Sequence, residues 1–334
     1  DAKFKKLKWK GEERVFDTWM DSSISELYIL KYKQDAGFFK KAYPATLRPQ
    51  GKEIVRTWFY YTLLRGYLET GKVCFNEAWI HQHLLDEKGR KMSKSLGNVI
   101  NPQELLRDYG AEAIRFWGAI EGNLAKQDLS VSKERIKAEM KTLTKLLNVA
   151  NFIMQFDLPK IKPKITLIDQ IFIDYVEEMT RFCEECFDNY DFHLPAVKLR
   201  NFLWEIFASH YMEVVKARAY NQENKFTKGD SESARYSLHF ILERLLYLFY
   251  PIIPQVTTEI AKEKNIDLLS ESFPKIKKVE ADVKVIEKLI EFNSEVWKKK
   301  KEQNLSLRAE ISGVQIPKEL KVFERDLRVA HGLK

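Results

Sequence analysis

Apolar side chains recur at helical spacing in KEIVRTWFYYTLLRGYLET, residues 52–70. Ile54, Trp58, Tyr61, Leu64 and Leu68 predict a helix, with Gly71 as its stop signal. The next stretch, KVCFNEAWIHQHLLD, gathers β-prone residues around Val73–Phe75 and Trp79–Leu85 and reads as one or two short strands. A glycine-flanked loop follows, GRKMSKSLGN, from Gly89 to Asn98. NPQELLRDYGAEAIRFWGAI then predicts two short helices, the first capped by Asn101 with Pro102 at its first position. Upstream, residues 14–50 show no sustained period and read as irregular. Strand, loop and helix in that order indicate an α/β fold with the loop at the strand's carboxyl end, where open α/β sheets bind ligands.

From residue 133 the pattern is helical throughout. Helices are predicted over 133–156, 166–187, 195–220 and 231–250, with a shorter one over 254–264; Pro159 and Pro163 mark a linker and Pro251 a stop. No strand signal intrudes, so residues 133–275 read as a helical bundle. Beyond 276 the chain turns Lys/Glu-rich. VKVIEKLIEFNSEVWKKKKEQ predicts an amphipathic helix, LRAEISGVQI a strand and PKELKVFERDLRVA a last helix. Three segments follow: α/β over 1–132, all-α over 133–275, and a small C-terminal helical or α+β piece over 276–334.

Composition narrows the class. With 45% apolar and 31% charged residues the chain is soluble and core-forming. No apolar run reaches membrane-spanning length, and the first residues, DAKFKKLKWKGEERVFD, lack an apolar signal region. Cys74, Cys183 and Cys186 cannot form a disulfide framework, so a reducing cytoplasm is expected. Cys183 and Cys186 have zinc-like spacing. They share the apolar side of a predicted helix with Phe182 and Phe187 and have no second cysteine pair, so no metal site is expected. The formal charge of +8 favours a polyanionic partner.

The loop carries the chemistry. Lys91 and Lys94 are three residues apart, so one tight turn points both ammonium groups the same way. Two cations, the Ser93 and Ser95 hydroxyls and free backbone N–H groups suit a triphosphate. They accelerate reaction where charge builds on departing pyrophosphate. Gly89 and Gly97 allow the backbone to close and reopen.

The pentapeptide KMSKS, Lys91–Ser95, resembles the signature loop of the class I aminoacyl-tRNA synthetases. DTWMDSS (Asp17–Ser23), RPQGKEIVRTW (Arg48–Trp58), YGAEAIRFW (Tyr109–Trp117) and EGNL (Glu121–Leu124) occur in family order around it. Together they resemble the second half of an archaeal-type valyl enzyme. The helical stretches Phe187–Tyr220 and Tyr250–Ile260 resemble the anticodon-binding bundle of the same class.

The resemblance implies a half-site for ATP-dependent activation of valine to valyl-AMP and transfer to tRNA(Val). ATP enters as its Mg2+ complex, and no tightly bound cofactor is expected. Lys91, Lys94, Ser93 and Ser95 match the catalytic loop; Lys94, Met92, Gly89 and His81 fall where ATP is held; Trp19, Ile54 and Trp58 match the amino-acid pocket. Arg200, Lys216, Arg218, Lys298 and Lys299 are candidate tRNA contacts. Two places depart from the family: Gly51, Lys52 and Glu53 stand where Gly-His-Asp is usual, and Gln82 where a glycine is usual. The family's His-Ile-Gly-His motif and its editing domain have no counterpart here. The chain is therefore expected to need a missing N-terminal half, fused or separate, and to be inactive alone. An apolar face or open sheet edge is expected where that half belongs. The competing expectation is a non-catalytic, synthetase-like tRNA-binding module.

Overall fold

The computed structural model describes residues 8, 10–123, 128–279 and 282–334. The chain divides into two compact units, Asp1–Asn98 with Leu124–Val131, and Val99–Asn123 with Ser132–Lys334.

The first unit is built on a parallel pair. Strand β1 (Ala45–Gly51) lies beside β2 (Phe75–His81), Ala45 facing Phe75 and Gly51 facing His81. Parallel neighbours need a crossover. Here it is a 3-10 turn (Lys52–Ile54), a π-helical turn (Val55–Phe59) and helix α4 (Tyr60–Thr70). Gly71, at φ +73°, ends α4 in the left-handed region. Gly66 lets the helix approach the residue just before β2, since a Cβ there would lie 3.0 Å from Cys74 Cβ. A second parallel pair joins β3 (Leu84–Leu85) to β4 (Leu129–Ser130).

The segment expected to be irregular is not. It holds α1 (Thr18–Ser22), α2 (Ser25–Ile29), α3 (Ala36–Ala42) and β1. Helices this short contain too few turns for periodicity to register. Their starts rest instead on side-chain caps: Asp17 accepts from Trp19 N at 2.8 Å and Asp35 from Phe38 N at 2.9 Å. Pro49 hides β1 from pattern reading. It is tolerated because β1 has one strand neighbour among the described residues. On α4, Tyr60, Leu64, Tyr67 and Leu68 remain exposed, Leu68 at 72%. The apolar stripe that predicts the helix is thus left largely uncovered in this unit.

The second unit is helical: α5 (Pro102–Tyr109), α6 (Ala111–Glu121), α7 (Lys133–Met154), α8 (Leu167–Asp188), α9 (His193–Asn201), α10 (Met212–Tyr220), α11 (Lys228–Phe249), α12 (Pro254–Glu263), α13 (Val285–Glu302) and α14 (Glu324–His331). Asn101 caps α5 by accepting from Gln103 N at 3.0 Å, with Pro102 at its first turn. Between α9 and α10 the chain widens into a π-helical stretch, Phe202–Tyr211. Phe202, Phe207 and Tyr211 are five and four residues apart, a spacing a wider turn aligns, and their rings stack at 5.6 and 5.9 Å.

This division differs from the three segments read in the sequence. Residues 99–123 pack within the helical unit: the Glu112 carboxylate caps α12 through Gln255 N (3.1 Å) and Val256 N (3.2 Å), and Phe116 is fully buried in the bundle core. Residues beyond 276 share that core through Leu289, Phe292, Val296 and Leu327. The expected strand at LRAEISGVQI is reduced to one bridge, Ile311 to Leu333, because Gly313 (φ +77°) and Pro317 interrupt it.

A buried polar chain fastens the C-terminal segment. His331 Nε2 donates to Asn293 Oδ1 at 2.7 Å, and Asn293 Nδ2 donates to His210 Nδ1 at 3.2 Å. Lys300, fully buried, donates to the carbonyls of Leu307 and His331 at 2.7 Å each. A proton on His331 Nδ1 would find no acceptor among the described residues and would stand near the Lys300 ammonium. Burial first, then the charges of Lys300 and His210, lower the His331 pKa to about 4. The unfolded chain then binds more protons than the folded one between about pH 6.5 and 4, so stability falls as the pH drops through that window. Thermal melts of the chain should show this loss, and His331→Leu should flatten it; an unchanged slope would remove His331 as its source.

Candidate active site

Residues 86–98 follow β3 directly. Lys91 returns beside it, forming an antiparallel bridge with Leu85. One buried carboxylate organises the loop. Asp86 accepts from Lys88 N (3.0 Å), Arg90 N (2.8 Å) and Arg90 Nε (2.9 Å), and from Asn98 Nδ2 (2.9 Å) at the far end of the loop. Asn98 completes the clasp, accepting from Ser93 N at 2.9 Å and donating to Lys91 O at 3.2 Å. Hydrogen bonds from Asn98 and the Arg90 backbone hold the Asp86 carboxyl well below the usual carboxylate range. Gly89 and Gly97 take φ of +73° and +61°, which close the two turns.

Neither Asp86 nor Asn98 is singled out by the sequence reading. The signal was there: Asp-Glu-Lys-Gly is a type I turn pattern, and Gly89 N does donate to Asp86 O at 2.9 Å. Asp86→Ala should raise amide hydrogen exchange across residues 88–98 by roughly tenfold, with melting of the helical unit unchanged, because it removes several acceptors at once. Exchange at the wild-type rate would mean that the loop is held by something else.

The clasp leaves Lys91 and Lys94 exposed. Neither ammonium has a hydrogen-bond or ion-pair partner among the described residues. Ser93 Oγ and Ser95 Oγ lie 3.1 Å apart, and Met92 is half-buried. The loop thus presents two unpaired cations beside two hydroxyls.

The carboxyl ends of β1 and β2 meet at Gly51 and His81. His81 is exposed, with Nδ1 3.1 Å from Gln82 O. Both changed residues of the first departure, Lys52 and Glu53, are engaged. Lys52 is ion-paired with Asp128, whose carboxylate also accepts from His83 N at 3.0 Å, and Glu53 lies 3.8 Å from His83 Nε2. The hydrogen bonds from Lys52 and His83 lower the Asp128 pKa.

Ile54 and Trp58 sit half-buried on adjoining turns, while Trp19 stands 37% exposed on α1, which packs against α4. Arg48 lies over the Trp58 ring at 3.9 Å and pairs with the buried Glu26 at 3.1 Å, contacts with no sequence signal. Trp58 Nε1, Arg48 Nη2 and Gln50 Oε1 are buried donors and acceptors without hydrogen-bond partners among the described residues.

In the helical unit the five candidate tRNA contacts part company. Arg218 is 1% exposed and closed in by Asp169 and Asp326, so it is not a surface residue and cannot meet a partner. Arg200 is paired with Glu139 at 2.8 Å and Lys216 with Glu213. Lys298 and Lys299 are exposed at the end of α13, whereas Lys300 turns inward. Cys183 and Cys186 lie buried on α8 as free thiols, and burial pushes Cys183 up to about 12. Among the described residues no group of three or more His, Cys, Asp or Glu side chains could hold a metal ion.

Comparison with known proteins gives consistent matches. Residues 2–132 match the family of tRNA synthetases class I (I, L, M and V), and residues 169–316 the anticodon-binding domain of tRNA ligase. The valine–tRNA ligase of Nanoarchaeum equitans is 40% identical over 98% of this chain and 43% of its own length. That of Pyrobaculum aerophilum is 37% identical over 96% of this chain and 41% of its own. The chain therefore spans less than half the length of these relatives. Among solved structures, a methionyl-tRNA synthetase of Mycobacterium tuberculosis bound by methionyl-adenylate aligns with TM-score 0.59 and 19% identity, covering 79% of this chain and 55% of that one. A LeuRS of Agrobacterium radiobacter, in a ternary complex with tRNA and LeuAMS, aligns with TM-score 0.58 and 19% identity over 79% of this chain and 34% of that one. At this identity the likeness speaks to fold.

Proposed function

This chain belongs to the class I tRNA synthetases (I, L, M and V), and on that premise we propose that it supplies the KMSKS-bearing portion of a valine–tRNA ligase. The reaction is attack of the valine carboxylate on the α-phosphate of ATP, which enters with Mg2+. It forms valyl-AMP, releases pyrophosphate, and is followed by transfer to tRNA(Val). The observation that carries this reading is the loop: Lys91 and Lys94 are exposed and unpaired while Asp86 and Asn98 hold the backbone beneath them. Cations so presented stabilise charge that accumulates on the leaving pyrophosphate. Ser93 and Ser95 add hydroxyl donors, the Met92 and Gly89 backbone frames the nucleotide, and His81 stands toward the adenine. Trp19, Ile54 and Trp58 wall the valine. A pocket of this kind separates valine from a neighbour differing by one methylene by about 1–3 kcal/mol.

The exposed face of α4, and β1 with one strand neighbour among the described residues, support a requirement for a further part of the catalytic domain. Arg200, Lys216, Lys298 and Lys299 are the tRNA contacts of this reading, and Arg218 is withdrawn from it. No helix among the described residues is long and apolar enough to cross a membrane; we assign the protein to the cytoplasm, where its substrates are.

The engaged pairs Lys52–Asp128 and Glu53–His83 favour a second reading, a tRNA-binding module without chemistry. The two are separated by valine-dependent exchange of labelled pyrophosphate into ATP, measured on this chain joined to the remaining part of a relative. Exchange that requires valine supports the enzyme. Its absence, with both parts folded and associated, supports the module.

A further inference from the structure

Trp58 sits on the π-helical turn of the crossover, and its backbone is fixed there by the Thr62 hydroxyl, which donates to Trp58 O at 2.8 Å. Its ring lacks the usual anchor. A buried indole N–H ordinarily finds an acceptor, and Trp58 Nε1 is buried with no hydrogen-bond partner among the described residues. What meets the ring instead is the guanidinium of Arg48, 3.9 Å from its centre. A delocalised cation at that distance is drawn to the face of an indole, and as a planar group it fits there where an ammonium does not.

Arg48 is itself held. Its Nη1 donates to Glu26 Oε2 at 3.1 Å, with the two side chains only 11% and 8% exposed. β1 supplies Arg48 and α2 supplies Glu26. The pairing does two things. It limits the rotamers open to Arg48, and so fixes the place of the guanidinium over the ring. It also cancels charge, since a lone enclosed cation beside Trp58 would repel the ammonium group of an incoming amino acid. The other tryptophan of the pocket is secured through its backbone. Arg65 of α4 donates to Met20 O and, at 3.1 Å, to Ser23 Oγ, which ties down the end of the helix that carries Trp19.

We propose that Arg48, held by Glu26, is a positioning residue for amino-acid selection: it fixes the rotation of the Trp58 ring and thereby the width of the site that admits valine. This rests on the reading of Trp19, Ile54 and Trp58 as the walls of that site, and adds what keeps one wall still. A wall that swings gives way to a larger side chain, so the extra methylene of isoleucine is then no longer turned away. Neither Arg48 nor Glu26 belongs to the lysine loop, so the effect falls on the amino acid and not on ATP.

Arg48→Lys separates ring placement from ion pairing, since lysine can still reach Glu26 but offers no planar group to the indole. The assay is valine-dependent exchange of labelled pyrophosphate into ATP, with the chain joined to the remaining part of a relative. Arg48→Lys and Arg48→Met should raise the KM for valine about tenfold, with kcat and the KM for ATP within about threefold of wild type. The preference for valine over isoleucine, as a ratio of kcat/KM, should fall about tenfold. In the full chain labelled with fluorotryptophan, the fluorine NMR resonance of Trp58, identified by its loss in Trp58→Phe, should shift and broaden in both variants. Arg48→Lys keeps the ion pair and should melt with the wild type, so it reports even where Arg48→Met disturbs folding. If Arg48→Lys keeps the wild-type KM, selectivity and resonance, Arg48 is an ion-pair partner alone; that overturns the proposal and leaves the pocket standing. An unchanged KM for valine in Trp58→Ala, or no exchange by the wild-type enzyme, overturns the pocket and the proposal with it.

Discussion

Arg218→Ala should cost the helical unit about 3–5 kcal/mol, enough to unfold a marginal domain near ordinary temperature. Arg218 joins four helices. Its Nη1 and Nη2 donate to the two oxygens of Asp169 on α8 at 2.8 Å each, its Nε to Asp326 of α14 at 2.8 Å, and Nη1 also to Asp230 O of α11 at 3.1 Å. Asp169 has no exposed surface and takes a further bond from Tyr211 Oη at 2.7 Å. Burial works to raise the Asp169 carboxyl, and the Arg218 charge with its hydrogen bonds overcomes it, leaving the group below its ordinary value. Asp326 holds one contact to the guanidinium, and burial prevails there, raising it. Alanine would leave both carboxylates in the interior without their cation, which is why the loss exceeds that of a surface pair. Urea titration followed by circular dichroism measures it, and a loss under about 1 kcal/mol would contradict the keystone role given to Arg218.

Lys94→Ala in the completed enzyme should slow valyl-adenylate formation by about 10²–10³-fold, with little change in the KM for valine. The lysine has no partner among the described residues to lose, so the substitution removes what it does for substrate. An interaction made mainly as pyrophosphate departs lowers kcat; one made equally with bound ATP would raise the KM for ATP instead. Single-turnover adenylate formation separates the two. A rate within about threefold of wild type would exclude Lys94 from the chemistry.

Long periodic elements were legible in the sequence. α7, α8, α11, α12 and α13 lie within a few residues of their predicted spans, and Asn101 with Pro102 marks the start of α5 as expected. The KMSKS loop was legible because five specified residues in a row leave little room for chance. What escaped was set by neighbours in space. Arg218 and Lys300 read like any basic residue on a helix, and only the elements packed over them show that they face inward. Asp86 and Asn98 are twelve positions apart, and nothing in either residue's own surroundings says that one will close on the other. The helices of residues 18–42 are too short to show a period, and Pro49 hides the strand after them.

Under the proposed function, the Asp86–Asn98 clasp changes the thermodynamics of substrate capture. A loop of this length left free would lose backbone freedom when it settled on a nucleotide, at about 1–2 kcal/mol per residue fixed. Tied at both ends, it has already lost most of that freedom during folding. Engagement of a triphosphate then has mainly the two lysine side chains left to order. Binding at this loop should therefore carry a small entropic penalty and a mainly electrostatic signature, with a steep dependence on ionic strength.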